Sequence, residues 1–272
     1  MLRVAMWNTN RVPAAHLCSA LVHEHNANVL IVLEALEPKA TYLDFLNEDG
    51  SGRWHLSPGL CERIDMYTRF PQEMSRVEAE SKHYTVRSIH LPGFPTVTLV
   101  GVHLQSKLHQ NEKSQQFEAM SVMKVVRDHE ARVGHRRTVI TGDFNMDPYE
   151  IGMVSTLGFH GLASRRTVQE GHRVVMGDAY DLFFNPMWGH FGDGSARPHG
   201  TYRYWSAEHV CQEWHLFDQV LVRPELMNSL PSASVLILET IGKTPLTSSR
   251  GVPCVSDHLP LMFGLSIQEV SS

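Results

Sequence analysis

The chain has 272 residues, of which 42% are hydrophobic and 19% charged, so it can bury the core of one large domain. Its formal net charge of −5 excludes a protein that holds nucleic acid mainly through bulk positive charge. Four widely spaced cysteines without a CxxC pair argue against a cysteine zinc site, and no apolar run is long enough to span a bilayer. We expect a single cytoplasmic domain, residues 1–272, with no membrane contact and no obligate protein partner.

The N-terminal half alternates buried strands with helices. The apolar runs Leu2–Trp7 and Val29–Leu33 predict strands that present Asn8 and Glu34 at their carboxyl ends. Pro13 suits the start of a helix. Helices are predicted at Ala14–Asn26, Ala40–Asn47 and Glu112–Glu130. The apolar face of the third helix is predicted to carry Phe117, Met120, Val122, Val125 and Val126. Further strands are predicted at Arg53–Ser57, Ile64–Thr68, Thr85–His90 and Thr96–Val102, the last ending at His103.

The stretch 138–148, TVITGDFNMDP, combines a short buried strand with a polar end. The strand Val139–Thr141 breaks at Gly142 and presents Asp143 and Asn145, which point the same way because they are two residues apart. Phe144, between them, is expected to turn into the core. Such a carboxylate and amide can hold a water and a phosphoryl oxygen. Taken alone, the stretch fits equally well a turn in which both side chains bond local backbone.

The remaining third of the chain is less regular. Leu157–Gly200 carries scattered glycines, arginines and aromatic residues with weak periodicity, which fits an elaborated loop region over the site or a surface excursion with its own small core. Further predictions are strands at Trp214–Val222, Ser234–Leu238 and Leu259–Leu265 and a loop at Gly242–Val255. Many strands with few, widely separated helices predict two packed sheets with helices outside.

Polar side chains stand at or near the ends of several predicted strands. If these strands are neighbours, the side chains converge at one edge, where carboxylates, amides and imidazoles suit a divalent ion and a phosphate. Mg²⁺ takes one or two protein carboxylates, so Glu34 is the best candidate ligand, with Asn8 and Asp257 near it. The histidines suit proton transfer and phosphate contact better than zinc. The full set is Asn8, Glu34, His103, Asp143, Asn145, Asp218, Asp257 and His258.

These residues and their order resemble a known family. The matching segments are Trp7-Asn8, Leu33-Glu34, Val102-His103-Leu104, Gly142-Asp143-Phe144-Asn145, Asp218 and Ser256-Asp257-His258. The chain is similar to the endonuclease/exonuclease/phosphatase superfamily, which includes pancreatic-type DNases and AP endonucleases, and GDFN with SDH is a specific combination. Leu33 and Gln219 depart from the residues that many members carry there, which weakens any assignment to a subfamily.

The resemblance implies a fold and a cofactor. The fold is a four-layer α/β/β/α sandwich of two packed mixed sheets with outer helices. The implied activity is Mg²⁺-dependent hydrolysis of phosphate esters, with Mn²⁺ as a substitute ion. Glu34 would bind the metal with Asn8 beside it, and Asp257 would bind the metal or support the site.

The resemblance also implies catalytic roles. Asp143 would orient or deprotonate the attacking water, and Asn145 would hold a phosphoryl oxygen. His258, steered by Asp218, would stabilise the charge that builds in the transition state. His103 would contact the phosphate or protonate the leaving oxygen. Whether Asp143 or His258 is the base stays open, because coupled groups resist single-residue assignment.

The expected function is a metal-dependent phosphodiesterase, foremost a nuclease with DNA or RNA as substrate. Tyr202 and Arg203 are candidate contacts to substrate phosphate, although an aromatic strand is equally typical of a core. One alternative is a phosphatase or phosphodiesterase of a small metabolite, nucleotide or lipid head group. Another is a non-catalytic binding module, which the intact set of polar residues disfavours.

Overall fold

The computed structural model describes residues 1–48, 50, 54–108, 111–192, 198–207, 209, 211–231 and 234–267. The strands are β1 (Leu2–Asn8), β2 (Val29–Leu33), β3 (His55–Leu56), β4 (Ile64–Thr68), β5 (Ser75–Glu80), β6 (Tyr84–Ile89), β7 (Val97–His103), β8 (Thr138–Asp143), β9 (Gly161–Leu162), β10 (His172–Val175), β11 (Asp178–Asp181), β12 (Phe183–Phe184), β13 (Tyr202–Arg203), β14 (Trp214–His215), β15 (Asp218–Val222), β16 (Leu236–Ile237), β17 (Thr240–Ile241), β18 (Thr244–Pro245) and β19 (Leu261–Leu265). The α-helices are α1 (Ala15–Glu24), α2 (Lys39–Leu46), α3 (Glu112–Val133), α4 (Ile151–Val154), α5 (Arg165–Val168) and α6 (Pro224–Met227), and 3₁₀ turns lie at Gln72–Met74 and Pro186–His190.

Two mixed sheets form the centre of the fold. The first has the order β16-β19-β1-β2-β4-β3, and the second has the order β5-β6-β7-β8-β15-β12-β9. The pairs β1–β2 and β7–β8 are parallel, whereas β1–β19, β8–β15 and β6–β7 are antiparallel. The sheets face each other with β1 and β2 against β8.

Side chains of the second sheet alternate between two apolar layers, as the period of two in a strand requires. Leu99 and Val139 belong to the core shared with the first sheet. Their neighbours Val100 and Ile140 belong to a separate core with α3. Helices α1 and α2 pack together and bury side chains in the first core. The predicted four-layer α/β/β/α sandwich is therefore confirmed.

The longest helix, α3, has a clear start and end. Asn111 accepts a hydrogen bond from the backbone N–H of Ser114, and the left-handed residue Gly134 (φ 73°) ends the helix beyond the predicted Glu130. Phe117 is 66% exposed, so its placement on the apolar face is wrong. The face that is buried is centred on Ala119, Val122, Met123 and Val126. None of the described helices is both long and apolar enough to cross a membrane.

Several predicted elements differ from the structure. The predicted strand Trp214–Val222 is two strands, β14 and β15, because the backbone N–H of Asp218 donates to the Thr201 hydroxyl at the break. Strand β5 was not predicted, since its sequence SRVEAE is polar and it lies at a sheet edge. Of the predicted strand Arg53–Ser57, β3 covers two residues and Arg53 lies outside the described residues.

The segment 157–200 is less of a loop than predicted. Strands β9 and β12 extend the second sheet, and β10 and β11 form a hairpin. Its described residues do not line the central cavity, which favours the surface excursion over the loop region above the site. The aromatic residues serve packing instead, as when Phe183 is buried in the core beside α3.

Candidate active site

The predicted polar residues meet at one edge of the two sheets because strand register brings them level. His103 pairs with Asp143 in the parallel β7–β8 ladder, and Asp143 pairs with Asp218 across β8–β15. In the first sheet Asn8 pairs with Leu33, so Glu34 follows directly beyond it. These ends border a cavity of about 610 Å³.

Asp143 is the centre of the hydrogen-bond network in this cavity. Its Oδ2 accepts bonds from Nδ2 of Asn8 and Nδ2 of Asn145, both at 3.1 Å, and its Oδ1 accepts the backbone N–H of Asn145 at 2.8 Å. Nε2 of His258 lies 3.9 Å and Nε2 of His103 lies 4.0 Å from Oδ2. Two amides and two imidazoles therefore converge on one carboxylate oxygen.

The GDFN stretch has the local structure that this convergence needs. Gly142 has φ 142°, and an added Cβ would lie 1.9 Å from the carbonyl oxygen of Val102, so the neighbouring strand excludes a side chain there. Phe144 is fully buried and packs edge-on against Phe159, as predicted for a side chain turned into the core. Asn145 has φ 50°, a left-handed conformation that asparagine tolerates.

A buried Asp–His pair lies beside Asp143. Nδ1 of His258 donates to Oδ2 of Asp218 at 2.7 Å. The His258 carbonyl accepts from the indole N–H of Trp7, and the hydroxyl of Ser256 donates to the Asn8 carbonyl at 2.8 Å. These bonds fix the SDH segment to β1, so the imidazole is held from both sides.

The pKa values of His258 and Asp143 are both shifted by the surrounding protein. Burial alone would lower the pKa of His258, but the carboxylates of Asp218, Asp143 and Asp257 outweigh it and raise that pKa to about 10. Burial raises the pKa of Asp143 above that of an ordinary aspartate. His258 is therefore a cation at neutral pH, and Asp143 is the better proton acceptor of the two.

Glu34 lines the same cavity, next to His103. Its Oε1 is 3.2 Å from Nε2 of His103, and this hydrogen bond is the main reason that its pKa is lowered, with His258 and Arg11 adding to the effect. Its φ of 51° is unusual for glutamate and is a sign of local strain, which is common at functional positions. Glu34 thus presents an anionic carboxylate, 29% exposed, to the cavity.

The donors present fit a hard divalent ion of the Mg²⁺ type. Among the described residues no three His, Cys, Asp or Glu side chains form a closed metal site. Mg²⁺ does not need such a site, because it keeps several waters and takes one or two protein carboxylates. The anionic Glu34, with the amide oxygen of Asn8 on the adjacent strand and Asp257 in the lining of the same cavity, is a donor set of this kind.

The structure brings together nearly every predicted site residue. Asp218 lies beneath the surface and reaches the cavity through His258, and Arg203 does not line it, because its guanidinium is paired with Glu213. The structure therefore does not bring Arg203 together with the other predicted site residues. The predicted residues that line the cavity are Asn8, Glu34, His103, Asp143, Asn145, Tyr202, Asp257 and His258.

Sequence reasoning missed part of the lining. Three cationic side chains, Arg11, Arg63 and Lys107, come from loops after strands or before them, where no periodic signal marks them. His215 and Phe217 also line the cavity, but they fall within the single strand predicted over Trp214–Val222 and were not predicted as site residues. His215 had one available signal, since it lies three residues before Asp218 among the apolar residues Trp214, Leu216 and Phe217.

No family model and no curated protein matches the sequence. Solved structures do match. An endonuclease/exonuclease/phosphatase family protein from Leptotrichia buccalis is 13% identical with a TM-score of 0.56, over 98% of this chain and 100% of that one. The chain has the endonuclease/exonuclease/phosphatase fold. This agrees with the resemblance found in the sequence.

Two other structures with this fold contain DNA. A 3′ phosphatase, NExo, from Neisseria bound to a product DNA hairpin is 13% identical, with a TM-score of 0.55 over all of both chains. The D. rerio protein TDP2, in complex with a single-strand DNA product, is also 13% identical, with a TM-score of 0.54 over 96% of this chain and 97% of that one. At such identities the likeness establishes the endonuclease/exonuclease/phosphatase fold.

Proposed function

We propose that this protein is a divalent-metal-dependent phosphoric ester hydrolase, foremost a nuclease that hydrolyses phosphodiester bonds of DNA or RNA. The observation that carries the proposal is the convergence of His258, His103, Asn8 and Asn145 on Asp143, with the anionic Glu34 next to His103. A structural cluster would not need a cationic imidazole, a strained glutamate and an open cavity at the same point.

Glu34, with Asn8 and Asp257, would hold the metal ion, Mg²⁺ or Mn²⁺. When bound, such an ion polarises a phosphoryl oxygen and offsets the charge that develops in the transition state. The hydrogen bond between His103 and Glu34 keeps the carboxylate in its anionic, ligating form.

Asp143 is the group that would orient and deprotonate the attacking water. Its buried carboxylate has a raised pKa, which makes it a stronger base than an exposed aspartate. Water attacks phosphorus as its proton passes to Asp143, and the bond from phosphorus to the leaving oxygen breaks. His258 is a cation fixed by Asp218 and stabilises the added negative charge on the phosphoryl oxygens.

Asn145 and His103 take supporting roles. Both amide hydrogens of Asn145 are already donated, to Asp143 and to the Leu104 carbonyl at 2.9 Å. We therefore assign Asn145 to positioning Asp143, in place of holding a phosphoryl oxygen. His103 faces Glu34 and Asp143 and is placed to donate a proton to the leaving oxygen.

The rim of the cavity supports a nucleic-acid substrate. Arg11, Arg63 and Lys107 line the cavity beside its carboxylates and are three cationic side chains that substrate phosphates can contact in a chain of net charge −5. Tyr202 and Tyr204 line the same cavity, and Tyr204 is 52% exposed, so bases of a single strand can stack there. In two structures with this fold the bound ligand is DNA.

A small phosphate ester is the second candidate. The cavity volume of about 610 Å³ is in the range of small-molecule sites. Cleavage of a small ester together with intact oligonucleotides would favour this candidate over the nuclease.

The test is cleavage of single- and double-stranded DNA, RNA and bis-p-nitrophenyl phosphate under Mg²⁺, Mn²⁺ or EDTA. Asp143→Ala and His258→Ala run beside the wild type, with Asp128→Ala and His172→Ala as controls, because both of these lie on exposed positions outside the cavity. The proposal would be supported if metal-dependent cleavage were lost in Asp143→Ala and His258→Ala and retained in the two control variants. No turnover of any substrate by a folded wild type would contradict it.

A further inference from the structure

A second Asp–His pair lies on the same cavity wall. Nδ1 of His215 donates to Oδ2 of Asp147 at 2.7 Å, and Oδ1 of Asp147 accepts the backbone N–H of Leu216 at 2.8 Å. The hydroxyl of Tyr149 lies 3.2 Å from Oδ2 and is closer to Oε1 of Gln212. Asp147 is 1% exposed, so a buried carboxylate that also accepts the Leu216 backbone N–H fixes the ring of His215.

The two Asp–His pairs are joined by aromatic rings. His215 stacks on Phe217 at 4.6 Å, and Tyr202 lies 5.1 Å from Phe217. The ring of Tyr202 is 4.7 Å from that of His258 and 6.1 Å from that of His215. A single ring therefore separates His215 from the proposed catalytic imidazole.

A lysine is tied to the same turn. Glu150 accepts the backbone N–H of Asp147 at 2.8 Å and binds Nζ of Lys107 at 2.7 Å. Lys107 and His215 both line the cavity. The acidic turn Asp147–Glu150 thus holds one imidazole and one ammonium group at the same side of the site.

We propose that His215 and Lys107 form a second phosphate-binding subsite, which holds a phosphate next to the one that is cleaved. The proposal rests on the proposed function and names its substrate class more closely, as an ester with at least two phosphates along one chain. With Nδ1–H given to Asp147, Nε2 is the ring nitrogen left for a ligand, and it donates to a phosphate oxygen when both ring nitrogens carry a proton. Charge-assisted bonds of this kind are the strong ones.

The alternative is that the Asp147–His215 pair only stabilises the local structure of the cavity lining. The variant His215→Asn distinguishes this structural role from a phosphate-binding role. Its amide can replace Nδ1 as the donor to Asp147, but it lacks Nε2. Lys107→Gln removes the ammonium charge. The matched controls are His172→Asn and Lys124→Gln, since His172 lies on the exposed strand β10 and the side chain of Lys124 is 75% exposed on α3.

The experiment is calorimetric binding in EDTA, where metal-dependent cleavage cannot occur. The ligands are the dinucleotide TpT, the same with a 5′-phosphate (pTpT) and the trinucleotide TpTpT. We expect the second phosphate to tighten wild-type binding about tenfold relative to TpT. A gain for pTpT identifies a terminal phosphate as the occupant, and a gain for TpTpT alone identifies a backbone phosphate.

The measured quantity is the ratio of the dissociation constants of TpT and the better two-phosphate ligand. His215→Asn and Lys107→Gln should bring this ratio close to one, and the controls should keep it. The subsite proposal is refuted if the wild type binds the two-phosphate ligands no more tightly than TpT. It is also refuted if the two variants keep the wild-type ratio of dissociation constants, which includes the case in which they weaken binding of all three ligands in proportion. Cleavage in the presence of metal is measured separately. Tighter binding of a two-phosphate ligand without any cleavage would refute the proposed function, whereas cleavage without this tighter binding would refute the subsite.

Discussion

Nδ1 of His258 donates a 2.7 Å hydrogen bond to Oδ2 of Asp218, and the two side chains are 8% and 1% exposed. A buried carboxylate in this position fixes the tautomer of the ring and favours its cationic form. The proposed charge stabilisation by His258 therefore depends on a residue that does not itself line the cavity.

Asp218→Asn should lower kcat about 100-fold or more, because the uncharged amide no longer supports the imidazolium. The pKa of His258, about 10 in the wild type, should fall. Cleavage rates and imidazole NMR measure both effects, and Asp128→Asn on the exposed face of α3 is the control. A variant with the wild-type rate would remove Asp218 from the mechanism.

The Asp218–His258 pair shows what the sequence could and could not predict. Each of Asn8, Glu34, His103 and Asp143 was recognisable because an apolar run stops at or just before a polar residue, and register then brings strand ends level. The local pattern also located Phe144 in the core. These features depend on the local sequence alone, so they can be predicted without knowledge of the tertiary contacts.

Other parts of the site depend on contacts between distant segments. The pairing of Arg203 with Glu213 in the two-stranded sheet β13-β14 keeps the Arg203 side chain out of the cavity lining. The bond between Asp147 and His215 joins residues 68 positions apart, and neither carries a periodic signal. Both amide hydrogens of Asn145 are donated within the protein, to Asp143 and Leu104, and no local sequence pattern indicates this.

Glu34→Gln should raise the Mg²⁺ concentration needed for half-maximal cleavage by tenfold or more, because an amide is a much weaker ligand than an anionic carboxylate. Metal titrations of the cleavage rate measure this shift, and EDTA should abolish the wild-type activity. Glu170→Gln, at an exposed position outside the cavity, should titrate as the wild type does. Equal metal dependence in Glu34→Gln would place the ion elsewhere.

Gly142→Ala should cost about 3 kcal/mol of unfolding free energy, since the new Cβ meets the Val102 backbone and the residue keeps a positive φ. Urea denaturation of the purified variant measures the loss. Gly189→Ala is the matched control, because nothing lies within 4 Å of an added Cβ there. An unchanged midpoint in Gly142→Ala would mean that β7 and β8 adjust at little cost.

The buried His160 should make stability fall in mild acid. Its Nδ1 donates to the Asp181 carbonyl at 3.0 Å, its Nε2 has no partner among the described residues, and burial lowers its pKa below the ordinary 6.5. The unfolded chain therefore binds the proton first as pH drops. The contribution of His160 to stability is complete above pH 6.5 and is lost as pH falls toward its folded pKa, with a slope of at most about 1.4 kcal/mol per pH unit.

His160→Asn removes this titration and suits the backbone, because residue 160 has φ 48°, which asparagine tolerates. Unfolding free energies from urea titrations between pH 7.5 and 5 should decline less steeply in His160→Asn than in the wild type. His172→Asn, on the exposed strand β10, should follow the wild-type curve. His129 also has a pKa lowered by burial, so the difference between the curves is the informative quantity. Parallel curves would show that His160 takes up its proton equally well in the folded protein.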